Sequence, residues 1–333
     1  MDVAFNLLTR HAFGQWQGQC LFTLAELRVF DTLAHGPLSA PRLAERCGTD
    51  PGVTERVLDA GTALGLLTKT DGAYANSRSA ARFLVTESAE SLAHWVRAMG
   101  QWAGPWSRLT EVVRTGLSQT PADTGGAVQR DFILGMHEFA RRTASGLPGL
   151  AGLKDPRHLV DVGGGAGTYS LAFCAAYPDL RATVLDLADV LPVLAETAAH
   201  AGLADRVTGQ VTDYRTDAFG TGADAVLFSN VLHQEPEDVV ISMLRRGAAA
   251  LGDPDTGRVL VHGHFLSEDH TAPLFSTLHN LSAVLLWGAG RSYTAGEMRE
   301  LMRRAGLDSS EPQQVPDSTT QLIVGTAVPE ELR

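Results

Sequence analysis

The second half of the chain alternates short apolar runs with amphipathic segments. Apolar runs predict strands, and apolar positions spaced about 3.6 residues apart predict helices. The predicted strands cover residues 159–162, 181–185, 207–211, 224–229, 258–264 and 320–327. The predicted helices cover residues 168–177, 189–201, 237–251, 273–287 and 294–305. This alternation is typical of a doubly wound α/β sheet, and its last two strands can pair antiparallel.

Helical spacing covers most of the first half, with one compact exception. Apolar positions recur at helical intervals over residues 1–35 and again over residues 80–150. Between these stretches, Ser39 and Asp50 can each start a short helix, and Asp71-Gly72 marks the turn of a short hairpin. Two short helices followed by a hairpin predict a winged helix.

A glycine- and proline-rich stretch over residues 146–155 separates the two halves. Stretches of this composition commonly connect domains. We therefore expect a helical, winged-helix domain over residues 1–150 and an α/β domain over residues 151–333. With 333 residues, the chain is long enough for each domain to bury a core of its own.

Charge and composition narrow the classes of partner. The net charge is −11, and the predicted recognition helix of the winged helix, residues 52–64, carries two acidic side chains and one basic side chain. Both features disfavour a nucleic-acid partner, because phosphates attract basic surfaces. The apolar and charged fractions, 44% and 20%, are typical of a soluble globular protein. No apolar run is long enough to span a bilayer, so we expect no membrane association.

The cysteines and the N-terminal residues indicate in which cellular compartment the protein is expected. Cys20, Cys47 and Cys174 are few and widely spaced, so they indicate neither a disulfide framework nor a zinc ribbon, and they fit a reducing compartment. The N-terminal residues show no signal-peptide pattern. We therefore expect the protein in the cytoplasm.

The most informative stretch follows the first apolar run of the second half. Residues 161–167 read Asp-Val-Gly-Gly-Gly-Ala-Gly, and a helical pattern comes next. Glycine is needed where φ is positive or where a ligand presses against the backbone. The next predicted strand ends in Asp186, and an acid at that point can accept hydrogen bonds from both hydroxyls of a ribose. The two features together predict a nucleoside-bearing cofactor across adjacent strand ends.

The residues around the glycines distinguish three kinds of cofactor. A P-loop is excluded, because no Lys-Ser or Lys-Thr pair follows the glycines. A dinucleotide fingerprint overlaps the stretch loosely, but the carboxylate of Asp161 would repel a pyrophosphate and would suit a sulfonium amino acid. The stretch resembles motif I of methyltransferases that use S-adenosylmethionine (SAM). We therefore expect SAM as the cofactor.

Further stretches extend this resemblance over nearly the whole chain. The sequence resembles the class I O-methyltransferase family, which includes the plant caffeate-type and acetylserotonin-type enzymes and many bacterial natural-product relatives. The matching stretches are residues 161–167, 184–187, 211–214, 227–233 and 290–298. The resemblance implies a Rossmann-like catalytic domain over residues 151–333. It also implies a homodimer, in which the helices of residues 1–150 of one subunit cover the pocket of the other.

The resemblance implies positions for the cofactor contacts as well. It places Gly163 under the methionine part of SAM and Asp186 at the ribose. Asp213 and Tyr214 would flank the adenine, and Ser229 would lie near the sulfonium at the end of the fourth strand. The methyl acceptor would be a small molecule of secondary metabolism.

Two departures from the family pattern surround the position of the general base. His233 occupies that position, and in the family this histidine removes the proton of a phenol. Gln234 stands where relatives usually have an aspartate, and His279 stands where they have an apolar residue in a pocket-lining helix. Two imidazoles and an amide oxygen on one cavity could form a three-point metal face with open positions. We therefore predict a divalent metal, either zinc, iron, nickel or cobalt, held by His233, Gln234 and His279.

These departures lead to two main hypotheses of function. The constellation resembles a subgroup of the family that C-methylates 2-oxo acids at a bound metal. The first hypothesis is therefore metal-assisted C-methylation of a small 2-oxo acid at the carbon next to the ketone, with the metal stabilising the enolate as a Lewis acid. The second is O-methylation of a phenolic or polyketide hydroxyl with His233 as the general base, while His279 only forms hydrogen bonds in a polar pocket.

Two other classes of function are disfavoured by the sequence. A SAM-responsive transcriptional regulator conflicts with the acidic charge and with the presence of His233. A NAD-dependent dehydrogenase conflicts with Asp213 at the adenine position and with the resemblance along the whole chain. Two more histidines, His262 and His264, alternate with apolar residues along one predicted strand, and we expect a structural role for both.

Overall fold

The computed structural model describes residues 3–118 and 127–328 of the chain. The described helices are α1 (Val3–Glu26), α2 (Val29–Leu33), α3 (Ala40–Cys47), α4 (Pro51–Ala63), α5 (Arg78–Phe83), α6 (Ala93–Ser107), α7 (Leu109–Thr115), α8 (Ala127–Ala140), α9 (Thr168–Ala176), α10 (Leu191–His200), α11 (Glu237–Ala250), α12 (Leu274–Ser282) and α13 (Ala295–Arg304). The described strands are β1 (Leu38–Ser39), β2 (Leu67–Thr70), β3 (Ala73–Asn76), β4 (His158–Val162), β5 (Arg181–Asp186), β6 (Val207–Val211), β7 (Ala225–Ser229), β8 (Arg258–Gly263), β9 (Leu307–Ser309), β10 (Gln313–Gln314) and β11 (Gln321–Ala327). None of the helices in these ranges is long and apolar enough to cross a membrane.

The described residues divide into two compact units. The first contains residues 3–104 and 127–139, and the second contains residues 105–118 and 140–328. The second unit therefore begins before the predicted boundary between residues 150 and 151. Within the second unit, the hydroxyl of Ser118 donates to the carbonyl of Leu285 at 2.9 Å.

The first unit contains the predicted winged helix. Helix α4 starts at Asp50, whose Oδ1 accepts the backbone N–H of Val53 at 2.8 Å. Ser39 precedes α3 as predicted, but its side chain makes no capping hydrogen bond. Strands β2 and β3 join through Asp71 and Gly72, whose φ values of 50° and 78° suit a tight hairpin turn. The strand order β1-β3-β2 completes the wing.

The second unit is built on a sheet with the strand order β10-β11-β8-β7-β4-β5-β6, and β9 pairs with β11. Strands β4 to β8 run parallel, and β11 runs antiparallel to β8. The predicted doubly wound α/β sheet with an antiparallel end is therefore confirmed. Strands β9 and β10 were not predicted, because they are short and mostly polar.

Helices cover both faces of this sheet. Val160 and Phe228 pack into a core with α11 and α13, whereas Leu159 and Leu227 pack into a second core with α9 and α10. Neighbouring residues of a strand point to opposite faces, so the two cores lie on opposite sides. Strand β4 lies between β5 and β7, and the strand order reverses beside it. Ligands of open α/β sheets bind beyond the carboxyl ends of the strands at such a point.

The predicted helix over residues 273–287 is interrupted. Helix α12 ends at Ser282, and the chain continues as a π-helical turn, Ala283–Trp287. The turn stops at Gly288, whose φ of 73° is left-handed. Such π-helical turns are rare and are often found at functional sites.

Candidate active site

The glycine loop lies between β4 and α9. Gly163, Gly165 and Gly167 have φ values of 66°, 58° and 73°, in the left-handed region that favours glycine. A Cβ atom on Gly163 would lie 2.8 Å from Cγ2 of Val231, and one on Gly167 would lie 2.5 Å from Cδ1 of Leu194. A Cβ atom on Gly165 would meet no other atom within 4 Å. The loop is therefore closely packed at Gly163 and Gly167 and open at Gly165, where a ligand can approach the backbone.

Asp161 is buried next to this loop. Its Oδ2 accepts a hydrogen bond from the hydroxyl of Ser170 at 2.8 Å. Burial raises the pKa of this carboxyl to about 7, and the hydrogen bond from Ser170 acts in the opposite direction. The Oδ1 atom is also buried and has no hydrogen-bond partner among the described residues. Since buried polar atoms are nearly always paired, this oxygen fits a donor that a ligand supplies.

Asp186 ends β5 and contacts the same loop. Its Oδ2 accepts the N–H of Gly165 and its Oδ1 accepts the N–H of Leu187, both at 2.8 Å. Burial raises the pKa of this carboxyl, while the two backbone donors lower it. Leu187 and Val211, at the ends of β5 and β6, are 53% and 62% exposed. An acid beside exposed apolar side chains matches the ribose and the flat base of a nucleoside.

Asp213 lies in the loop after β6. The N–H of Thr212 donates to the carbonyl of Asp186 at 2.9 Å, so this loop starts beside the end of β5. The Oδ1 of Asp213 accepts the N–H of Arg215 at 2.9 Å, and its own N–H donates to Oδ2 of Asp217 at the same distance. The Asp213 side chain therefore stabilises its own turn. It is exposed to solvent beside the surface that matches a nucleoside.

Tyr214 lies against the glycine loop, with its Cδ1 3.8 Å from the place of a Cβ atom on Gly163. Its hydroxyl donates to Oε1 of Glu235 at 3.1 Å, and Nη2 of Arg215 lies 2.8 Å from the same oxygen. Burial and the charge of Glu235 raise the pKa of Tyr214. Glu235 is only 2% exposed, and its position two residues after His233 was its one signal in the sequence. This buried carboxylate connects the loop after β6 to the loop that carries His233.

Ser229 ends β7 and contacts a buried imidazole. Its Oγ lies 2.9 Å from Nδ1 of His262, and Nε2 of His262 lies 2.7 Å from Oγ1 of Thr320. Burial lowers the pKa of His262 to about 3, and repulsion from His264 adds to this effect. A neutral imidazole therefore joins the two hydroxyls at physiological pH.

Three imidazoles and an indole lie together after β7 and β8. The ring centroids of His233 and His279 are 4.5 Å apart, and that of Trp287 is 5.3 Å from His233. The ring of His264 is 6.0 Å from that of His279. Burial lowers the pKa of His233 well below its usual range, and the two neighbouring imidazoles add to this effect. Burial also lowers the pKa values of His264 and His279 to about 4, so all three rings are neutral at pH 7.

Two nitrogens of this cluster lack partners. Nε2 of His233 and Nδ1 of His279 are buried and accept or donate no hydrogen bond within the described part of the chain. The ring of Phe275 stacks 5.7 Å from that of His279. Unpaired buried nitrogens beside aromatic rings suit a flat ligand that carries oxygen atoms.

The metal face predicted from His233, Gln234 and His279 does not fit the donors present. Gln234 ends a short 3₁₀ turn, Leu232–Gln234, and none of the described contacts brings its amide to either imidazole. Within residues 3–118 and 127–328, no three His, Cys, Asp or Glu side chains are grouped so that they could hold a metal ion. Two imidazoles alone do not complete a three-ligand site. The metal prediction is therefore not supported by the donor geometry.

A doubly wound sheet with a glycine loop and an acid at the neighbouring strand end is the arrangement of a class I methyltransferase. Models of two protein families match this sequence. One describes the O-methyltransferase domain and covers residues 106–308, and the other describes the O-methyltransferase dimerisation domain and covers residues 9–86. The chain belongs to the O-methyltransferase family and is a methyltransferase, which confirms the family predicted from the sequence.

Individual relatives are similar over nearly the full chain. The 3-hydroxy-5-methyl-1-naphthoate 3-O-methyltransferase of Streptomyces sahachiroi is 34% identical, over 90% of this chain and 89% of that protein. The L-tyrosine C(3)-methyltransferase of Streptomyces lavendulae is 25% identical, over 91% and 87% of the two chains. Human N-acetylserotonin methyltransferase, solved in complex with SAM, has a TM-score of 0.87 at 25% identity and 99% coverage of both chains. These similarities carry no support for a metal-dependent subgroup.

Proposed function

We propose that this chain is a SAM-dependent O-methyltransferase that methylates a hydroxyl group of an aromatic natural product. The Streptomyces sahachiroi relative is named for 3-O-methylation of a hydroxynaphthoate, and the human structure contains SAM. The observation that carries the proposal is the pair of buried, unpartnered nitrogens on His233 and His279 beside Trp287 and Phe275. An aromatic acceptor can stack against the rings while its hydroxyl pairs with a nitrogen.

The glycine loop is the proposed binding site for the methionine part of SAM. SAM supplies an electrophilic methyl group on a sulfonium centre. Gly163 lies under this part, and the open space at Gly165 allows close approach to the backbone. The unpartnered Oδ1 of Asp161 can accept a hydrogen bond from the amino group. Ser229 at the end of β7 faces the sulfonium in this arrangement.

The ends of β5 and β6 are the proposed binding site for the nucleoside part of SAM. Asp186 accepts the ribose hydroxyls. The hydrogen bond from Gly165 to its carboxylate holds this acid at the mouth of the glycine loop. Leu187 and Val211 cover the adenine with apolar surface that is exposed at this edge of the sheet. Asp213 and Tyr214 flank the adenine from the loop after β6.

His233 is the proposed proton acceptor. Its Nε2 receives the hydroxyl proton as the hydroxyl oxygen bonds to the methyl group, and the electron pair of the broken bond stays on sulfur. Burial keeps the pKa of His233 low, so this imidazole is a weak base. A weak base serves an acidic hydroxyl better than an alkyl alcohol, which supports a phenol or naphthol as the acceptor.

Methyl transfer should persist to unusually low pH for a histidine-dependent reaction. His233 accepts a proton only in its neutral form, so activity is present above its lowered pKa and falls as the pH drops through that value. We expect kcat/KM to stay flat from about pH 6 to about pH 8 for an acceptor that remains protonated. A pH–rate profile with an acidic limb centred near the ordinary histidine value of about 6.5 would contradict this assignment.

His279 is proposed to orient the acceptor through its unpartnered Nδ1. Replacing His279 by phenylalanine keeps an aromatic ring but removes this nitrogen, and should raise the KM of the acceptor about tenfold. His279→Asn is the matched control, because its amide can place a polar atom near the position of Nδ1. SAM affinity, measured by calorimetry, should be similar in both variants. Equal acceptor KM values for the two variants would refute the orienting role.

Helix α1 is proposed to form part of a homodimer. Val3, Leu8 and Trp16 are 84%, 68% and 68% exposed along this helix, and such apolar surface usually lies in an interface. The matched dimerisation domain overlaps this helix. Replacing Leu8 and Trp16 together by glutamate should give monomers in light scattering, whereas the polar control Gln17→Glu should remain dimeric. A double variant that keeps the mass of a dimer would argue against this surface.

C-methylation is the second candidate function. The Streptomyces lavendulae relative is named a C-methyltransferase, and unpartnered nitrogens on His233 and His279 could also face an enolisable acceptor. The specific form predicted from the sequence is metal-assisted methylation of a 2-oxo acid, and the described residues contain no group of three His, Cys, Asp or Glu side chains that could hold its metal. The two functions differ in the atom that receives the methyl group.

A direct assay separates these functions. The purified protein is incubated with SAM in two parallel reactions. One contains hydroxynaphthoic acids, and the other contains branched and aromatic 2-oxo acids. Mass spectrometry should detect addition of one methyl group to the hydroxynaphthoic acids alone, and NMR of the product should place this group on oxygen. Methylation of the 2-oxo acids alone would overturn the proposed function.

A further inference from the structure

A line of hydrogen-bonded side chains runs from the end of β7 to the loop before β11. Ser229 contacts Nδ1 of His262 at 2.9 Å, and Nε2 of His262 contacts Thr320 at 2.7 Å. Oγ1 of Thr320 lies 2.7 Å from Oγ of Ser318. His262 and Thr320 are 3% and 5% exposed, so water does not interrupt the centre of this line. The line ends at Ser229, the residue proposed to face the sulfonium.

Backbone pairing sets both partners of the imidazole. Ser229 and His262 are register partners on the parallel strands β7 and β8. On the other side, Gln314 donates to the carbonyls of Ser318 and Thr320 at 2.6 and 2.8 Å, which fixes the loop that carries Thr320. The ring is therefore held between one partner fixed by strand pairing and one fixed by the contacts of Gln314.

The protonation state of His262 limits which groups donate and which accept the hydrogen bonds along this line. Burial, with repulsion from His264, lowers the pKa of His262 to about 3, so the ring is neutral. A neutral imidazole has one N–H donor and one acceptor nitrogen. One of its two hydroxyl partners, Ser229 or Thr320, must therefore donate to the ring, and the other must accept from it.

Tyr169 packs against the imidazole of His262. Its ring lies edge-on to that of His262, with centroids 4.8 Å apart. Burial raises the pKa of Tyr169 to about 12, and a hydrogen bond with Ser229 acts against that rise. A phenol with a raised pKa keeps its proton at neutral pH. Of the two directions, the one that suits methyl transfer points the Ser229 proton to Nδ1 of His262 and the Nε2 proton to Thr320.

We propose that His262 is a positioning residue for methyl transfer, which holds the Ser229 hydroxyl so that an oxygen lone pair faces the methyl-bearing sulfonium. The inference rests on the proposed function, because it needs SAM at the carboxyl ends of β4 and β7. An oxygen lone pair attracts the partly positive hydrogens of the methyl group, whereas a freely rotating hydroxyl would sometimes present its proton. A dipole fixed in advance does not have to reorganise during the reaction.

Two variants of His262 separate this role from a structural one. In His262→Asn the amide reaches the position of Nδ1, so the contact with Ser229 is kept and that with Thr320 is lost. In His262→Gln the longer side chain reaches the position of Nε2, so the contact with Thr320 is kept and that with Ser229 is lost. Each variant removes one hydrogen bond from a buried hydroxyl, so both should lower the melting temperature by similar amounts.

The main readout needs no methyl acceptor. SAM labelled with ¹³C in its methyl group is bound to each protein, and the methyl ¹H and ¹³C shifts are recorded by NMR. We expect His262→Gln and Ser229→Ala to move the methyl signal by the same amount, while His262→Asn stays close to the wild type. The double variant that combines His262→Gln with Ser229→Ala should give the same methyl shifts as Ser229→Ala alone, because His262 acts through Ser229.

Turnover gives the second readout. Single-turnover transfer to a hydroxynaphthoic acid should fall about tenfold in His262→Gln, with the acceptor KM unchanged, and should be largely restored in His262→Asn. Methyl shifts and rates that follow only the melting temperature, or additive effects in the double variant, would overturn the positioning role. A wild-type protein that binds labelled SAM but methylates no hydroxyl would instead contradict the proposed function, and the NMR comparison would still decide the role of His262.

Discussion

Replacing His233 by alanine should lower kcat by about 10²- to 10⁴-fold, because the hydroxyl proton loses the group that accepts it in the transition state. The Kd of SAM should change little, because the proposed cofactor contacts lie on the glycine loop and the neighbouring strand ends. Single-turnover rates and calorimetric titration with SAM measure the two quantities separately. This variant tests the catalytic assignment more strongly than any other single substitution.

His233→Gln is the matched control for this loss. Its amide can accept a hydrogen bond near the position of Nε2 but cannot take up a proton at neutral pH. The glutamine variant should therefore be almost as slow as the alanine variant. A rate within a few-fold of the wild type for either variant would show that His233 is not the proton acceptor.

Replacing Asp186 by alanine should weaken SAM binding by about 10²- to 10⁴-fold. The carboxylate is proposed to accept both ribose hydroxyls, and each hydrogen bond to a charged group contributes about 1.5–3 kcal/mol. The effect should appear in the Kd of SAM and of S-adenosylhomocysteine, both measured by calorimetry. At saturating SAM, the KM of the acceptor should stay the same, because Asp186 does not contact the histidine cluster.

Asp186→Asn and Asp213→Ala serve as comparisons for the alanine variant. The asparagine keeps one acceptor oxygen and should lose about tenfold in affinity. Asp213 is exposed and stabilises its own turn, so its replacement should cost only a few-fold. An unchanged Kd in Asp186→Ala would place the ribose elsewhere.

The strands and the doubly wound sheet could be predicted because apolar periodicity acts on long segments. Strands β4 to β8 and helices α9 to α11 lie within a few residues of their predicted positions. The π-helical turn Ala283–Trp287 could not be predicted, because its apolar residues fit a helix of either kind. The first unit ends at residue 139, before the glycine-rich stretch at residues 146–155, and residues 105–118 belong to the second unit.

The candidate site was only partly predictable. The glycine loop and Asp186 were visible, because tight turns require glycine and a ribose requires an acid at a fixed point. The proximity of His233 and His279 followed from the family pattern, and the structure places the rings 4.5 Å apart. The metal face did not follow, because a metal site depends on side-chain directions that residue types do not determine. The hydrogen-bonded line through His262 could not be predicted either, since its members come from segments that lie far apart in the sequence.

The central claim is that the methyl group is transferred to oxygen. The most direct test incubates the protein with ¹³C-methyl-labelled SAM and a hydroxynaphthoic acid, after treatment with a chelator, and locates the label by NMR. We expect a labelled methoxy carbon, formed at the same rate with and without the chelator and lost in His233→Ala. A label on a ring carbon, or transfer to a 2-oxo acid carbon that requires added zinc, iron, nickel or cobalt, would contradict the claim.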